Sequence, residues 1–279
     1  PSKQDYLSQK KNERDRYEQF WTDVIYYLKK YFKNNQLSFI TFAYYYHAEK
    51  ALFVGCKNNK IPVKLWLKEC FMSDEDVRSR VKINEFKDVF KYFYKISVYN
   101  NMMKKMLISM DKSNKKKISV NGCPRAIDFI NKKKSEKIVK NLLFLSFSIK
   151  QGFPLLKEYK NFNWKLSYNI VIEILNELSK NNDINITIKR KSPYTYKTPY
   201  AIDKRVKLFE GGTAEKFIND ADIIIGHNSG SVIESLVNGK YVMIPFFEKK
   251  LKFKKYLYKY DKSIIYTSKE KMKKDILNL

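Results

Sequence analysis

The 279 residues are enough for two domains of ordinary size, and a composition of 44% apolar, 30% charged and 15% aromatic residues excludes general disorder. A formal charge of +27 raises nucleic-acid binding, but only seven of the 56 basic residues are arginine, the side chain suited to bidentate phosphate and base recognition, so no specific nucleic-acid partner is expected. The lysine excess suits a phosphorylated small molecule and the anionic face of a membrane instead.

Lys10 to Phe32 is predicted as a packing helix, with Tyr17, Phe20, Trp21, Val24, Ile25 and Leu28 recurring at spacings of three and four. A strand over Leu37 to Ala43, a helix from His47 to Cys56 and a strand from Pro62 to Leu67 come next, a spacing that permits a parallel crossover. After a charged, irregular segment from Ser73 to Glu85, a strand is predicted over Lys95 to Tyr99, a helix over Asn101 to Met110 and a strand over Lys117 to Asn121. The lysine-rich run Lys132 to Lys140 places a domain boundary between residues 135 and 136.

The second half repeats the alternation. Strands are predicted at Leu142 to Ser148, Asn185 to Ile188, Val206 to Phe209, Asp222 to Gly226, Tyr241 to Ile244 and Ser263 to Tyr266. Helices fall at Trp164 to Ser179, Thr213 to Ile218, Ser231 to Val237 and Lys269 to Leu277. Such a succession implies a doubly wound parallel sheet with its ligand beyond the carboxyl ends of the strands.

Cys56, Cys70 and Cys123 are odd in number and widely spaced, giving neither a disulfide framework nor a metal pattern. The histidines are His47 and His227 alone, so no metal site is expected, and a reducing cytoplasm is the natural setting. No stretch approaches about 18 uninterrupted apolar residues, so any membrane contact would be peripheral, at the inner face. The sequence starts at Pro1 without a methionine, and fewer strands precede Leu37 than a complete Rossmann-like domain needs, so an abbreviated N-terminal half is expected.

The stretch from Asp220 to Pro245 carries the chemistry. An apolar strand enters a small polar loop of Gly226, His227, Asn228, Ser229, Gly230 and Ser231 that opens a helix. Exposed amides and the positive end of a helix dipole suit a diphosphate there, and glycine permits close approach of a ligand to the backbone. Ser231 and Glu234 fit a capping box, while Glu234 is equally placed to bind ribose hydroxyls. His227 is a candidate contact for phosphate or base.

This stretch resembles the donor-binding segment of GT-B glycosyltransferases. Tyr46 to Cys70 with Lys68-Glu69-Cys70, then Val98-Tyr99-Asn100, then Val120-Asn121-Gly122-Cys123-Pro124-Arg125, resembles more narrowly the bacterial surface-carbohydrate and capsule-synthesis transferases. That group lies near the Kdo transferases and the glycerophosphotransferases that use CDP-glycerol. The similarity spans residues 37 to 279; one departure is that Asp128 stands three residues after Arg125, where the pattern has an Asp two residues after the Pro-Arg pair.

The resemblance implies two Rossmann-like domains facing across a cleft: residues 1–135 on the acceptor side and 136–279 binding the donor. The implied activity moves a sugar or sugar-like group from a nucleotide-activated donor to a surface-polysaccharide or glycolipid acceptor. The nucleotide sugar is a substrate, and no cofactor is required. Lys189, Arg190 and Lys191, just after a predicted strand, and Arg125 across the cleft are the cations expected to neutralise donor phosphates. Glu69 and His47 are the candidate bases for the acceptor hydroxyl. A nucleotide-sugar epimerase and a basic nucleic-acid-binding protein are the alternatives.

Overall fold

A computed structural model of the protein describes residues 11–32, 37–44, 47–67, 88–124, 140–146, 164–190, 200–227, 229–248 and 260–279. The chain forms two compact units, Pro1–Cys70 with Val77–Cys123, and Phe71–Asp76 with Pro124–Leu279.

The first unit contains α1 (Lys11–Tyr31), β1 (Phe39–Thr41), α2 (His47–Asn58), β2 (Val63–Trp66), β3 (Phe93–Val98), α3 (Asn101–Met110) and β4 (Ile118–Val120). The strands lie in the order β1-β2-β3-β4, every pair parallel. Asn100 starts α3 as its N-cap, accepting from the Met103 amide at 2.9 Å, and Met103, Met106, Leu107 and Met110 bury the inner face. Helix α1 rests on α2 at Gly55, where a Cβ would stand 2.8 Å from the Trp21 carbonyl carbon and 2.9 Å from the Thr22 nitrogen. Only glycine lets the two backbones approach so closely. The apolar residues of α1 do not form one packing face: Ile25 is buried, whereas Phe20, Tyr27, Leu28 and Tyr31 are exposed.

The second unit contains β5 (Lys140–Leu145), α4 (Trp164–Leu178), β6 (Ile184–Arg190), β7 (Lys207–Glu210), α5 (Glu215–Asp220) and β8 (Ile223–Ile225). It continues with α6 (Gly230–Val237), β9 (Tyr241–Pro245), β10 (Ile265–Tyr266) and α7 (Lys269–Asn278). The sheet order is β10-β9-β8-β5-β6-β7, every pair parallel. Counted from β5, this is the doubly wound 3-2-1-4-5-6 order, so the topological switch point falls between β5 and β8. Leu142, Leu143, Phe144, Ile223, Ile224 and Ile225 are buried on both faces, which is why these strands are continuously apolar instead of alternating.

The amino ends of β5 and β8 are clamped by Asp222, whose carboxylate accepts from the Asn141 amide at 2.9 Å and whose own amide donates to the Asn141 carbonyl at 2.8 Å. Lys140 caps the last turn of α7, donating to the carbonyls of Ile276 (3.2 Å) and Leu277 (2.9 Å). Lys269 bridges to Glu173 (3.2 Å) and Glu177 (2.7 Å) of α4. Strand β10 is only two residues long because 262–264 turn as a 3-10 helix, begun by the Asp261 carboxylate accepting from the Ser263 amide at 2.8 Å. Among the described residues, no helix is long and apolar enough to cross a membrane.

Candidate active site at the switch point

Strands β5 and β8 end side by side, and the segments leaving their carboxyl ends build the candidate site. After β8 the chain passes through Gly226 and His227 to Ser229, whose extended backbone (φ −154°, ψ 158°) makes it the N-cap of α6. The Ser229 hydroxyl accepts from the Val232 amide at 3.3 Å and its carbonyl from the Ile233 amide at 3.4 Å. The amides of Gly230 and Ser231 come before any intrahelical acceptor and form the positive end of the helix.

This corrects the expected capping box. The cap is Ser229, two residues before Ser231, so its N3 partner is Val232 and a Ser231–Glu234 box does not form. The Ser231 carbonyl instead accepts from the Ser235 hydroxyl at 2.7 Å. Glu234 is buried, one turn into α6.

Packing alone already requires glycine at 226. A Cβ there would stand 2.5 Å from Cγ2 of Val232 and 3.6 Å from Cβ of Leu145. The glycine therefore lets the first turn of α6 press onto the ends of β8 and β5. His227 beside it is 1% exposed, and burial pushes its pKa well below the ordinary histidine value. A neutral imidazole at pH 7 offers a hydrogen bond but no positive charge.

On the β5 side the chain leaves the sheet at Ser146, whose amide donates to the Lys189 carbonyl at 3.0 Å. Its hydroxyl lies 3.3 Å from that of Tyr168, a fully buried residue of α4, and either can donate. Sequence reasoning missed Ser146 by extending the strand to Ser148. The available signal was a hydroxyl residue closing the apolar run of the central strand.

The predicted cation cluster has other employment. Lys189 is buried, and its ammonium donates to the carbonyls of Gly211, Arg190 (3.2 Å) and Gly212 (3.4 Å). Arg190 pairs with Glu210 on β7 at 3.1 Å, because the β6–β7 register sets the two side by side. Both side chains thus have partners on the β7 side: Lys189 on the turn beyond β7, and Arg190 through Nη1 on Glu210. They also lie two strand spacings from β8, about 10 Å. Glu69, Arg125, Lys191 and Asn228 lie outside the described residues, and of His47 the described part is its backbone, which opens α2. Among the described residues, no three His, Cys, Asp or Glu side chains are grouped as metal ligands.

No family model and no curated protein matches this sequence. Solved structures do match by fold. The MnaA–UDP complex of S. aureus aligns with a TM-score of 0.57 at 13% identity, over 95% of this chain and 70% of that one. A putative UDP-N-acetylglucosamine 2-epimerase from Listeria monocytogenes gives 0.58 at 13% identity, over 95% and 70%. The UDP-GlcNAc 2-epimerase of Neisseria meningitidis bound to UDP-GlcNAc gives 0.54 at 16%, over 88% and 66%. The fold is thus of the GT-B type, with two Rossmann-like domains; among the described residues the N-terminal sheet has four strands and the C-terminal sheet six.

Proposed function

We propose that the protein is a nucleotide-sugar-dependent glycosyltransferase that passes a sugar or sugar-like group to a surface-polysaccharide or glycolipid acceptor. One observation carries the reading: at the β5–β8 switch point, an eight-residue helix begins with a serine cap and two amides that lack intrahelical acceptors. Two of the structural neighbours hold UDP or UDP-GlcNAc.

In the proposed reaction the acceptor oxygen attacks the anomeric carbon, the bond from that carbon to the phosphate oxygen breaks, and its electron pair leaves with the nucleotide. The developing charge meets the amides of Gly230 and Ser231 and the helix dipole, a stabilisation that needs no metal. Ser229, Asn228 and Ser146 are assigned hydrogen bonds to the phosphates or sugar, His227 a neutral contact, and Glu234 the ribose hydroxyls. Lys191 and Arg125 are the cations assigned to the phosphates. The acceptor proton passes to Glu69, with His47 as the alternative base. Cytoplasm at the inner face of the membrane is the assigned location, where a glycolipid acceptor would be met.

A thermal-shift series with CMP, CDP, UDP, GDP and their sugar conjugates tests the binding step. A ligand at 100 times its Kd adds about 2.7 kcal/mol to apparent stability. A melting temperature unmoved by every member would sink the reading. Epimerisation is the second reading, favoured by the fold likeness to 2-epimerases. Incubation with donor alone separates the two, since an epimerase converts it and a transferase requires the acceptor.

A further inference from the structure

Lys189 is a buried ammonium with no carboxylate among the groups that perturb it; burial alone pulls its pKa down. A desolvated cation is costly unless its three donors are all used. Here the three acceptors are main-chain carbonyls: Arg190 on its own strand, and Gly211 and Gly212 immediately beyond β7. Two consecutive carbonyls can face one ammonium only if the chain turns sharply, and Gly211 and Gly212 do so with φ of +70° and +67°. Such left-handed values disfavour any residue with a Cβ. Lysine and glycine pair, 22 residues apart in sequence, therefore form one device.

The surroundings fix the lysine in turn. Its Cα partners are Leu145 on β5 and Phe209 on β7, so it sits on a strand flanked on both sides. The Phe217 ring of α5 lies 5.8 Å from its ammonium, and Phe209 packs against Phe217 at 5.0 Å. The Gly211–Gly212 turn borders the carboxyl edge of the same sheet whose switch point holds the candidate site.

We propose that Lys189 is a positioning residue of the nucleotide site: it holds the Gly211–Gly212 turn at the carboxyl edge of the sheet, and acts on ligand affinity through that turn instead of touching the ligand. The inference rests on the nucleotide-sugar reading. It replaces direct phosphate binding as the role of this lysine.

The test uses the full chain with Lys189→Met, Gly212→Ala and the double variant. Hydrogen–deuterium exchange over 207–214 needs no ligand: both single variants should speed exchange there by about tenfold or more, with the α4 and α6 amides unchanged. UDP, CDP and GDP are then titrated calorimetrically. For whichever binds, each single change should weaken affinity about tenfold, and the double no more than the worse single, because both break the same turn. Losses that multiply in the double variant would mean direct contact and overturn the proposal, as would unchanged exchange in Lys189→Met. Should that variant fail to fold, Gly212→Ala alone decides: unchanged exchange or unchanged affinity overturns it. If wild type binds none of the three nucleotides, the nucleotide reading falls and the effect on affinity with it, while the exchange result still decides whether Lys189 holds the turn.

Discussion

Replacing Gly226 with alanine puts a methyl group where the structure leaves no room. The new Cβ would lie 2.5 Å from Cγ2 of Val232, about 1 Å inside the 3.5 Å lower end of ordinary carbon contact. Val232 is fully buried and β-branched, so its χ1 is nearly fixed within the helix and the methyl cannot swing away. The strain must be relieved by lifting the start of α6, at a cost of about 1–3 kcal/mol. For a protein of this size, that is a fall in melting temperature of roughly 2–4 °C per kcal/mol. The same displacement moves the amides of Gly230 and Ser231, so nucleotide-induced stabilisation should fall as well. Val232→Ala removes the offending methyl, and the double variant should lose about 1–3 kcal/mol less than the two single losses added together. Urea unfolding of wild type, both singles and the double measures this coupling. A strictly additive double variant, or a Gly226→Ala protein as stable as wild type, would refute the packing account of this glycine.

Three further outcomes are expected. His227 has a depressed pKa in the folded state, so the unfolded chain binds the extra proton first; its contribution is complete above about pH 6.5 and declines as pH falls below that value. Between pH 6.5 and 5 stability should therefore fall, and His227→Gln should flatten that part of the stability–pH curve relative to wild type. Cys56 is fully buried, with its thiol pushed up to about 11, so at pH 8 iodoacetamide should label Cys123 well before it, as read by peptide mass spectrometry. Glu69→Gln should abolish transfer while leaving the donor-induced thermal shift nearly intact; loss of both together would remove Glu69 as the base.

Much of the fold was legible because parallel strands buried on both faces have to be apolar throughout, and the helices between them have to be amphipathic. Leu142 to Leu145 and Ile223 to Ile225 announce themselves in this way, as do the helices beginning at Trp164 and Asn101. The passage from β8 through Gly226 into a helix was legible too, since a strand running into small polar residues and then a helix is a local pattern. Residues far apart in sequence were not. The sequence pointed to three successive cations at Lys189 to Lys191, yet which carbonyl or carboxylate Lys189 and Arg190 meet depends on the strand placed beside β6.

By itself the sequence determined the alternation of strands and helices and the position of the polar loop, because each arises from local periodicity and turn chemistry. Only the tertiary structure decided that β5 and β8 are neighbours, that Ser229 and not Ser231 caps the helix, that Gly226 makes room for Val232, and that the Lys189 charge is absorbed by the Gly211–Gly212 turn. Strand order, close contacts and the partners of buried charges are set by pairing between distant segments, and periodicity along the chain carries no record of them.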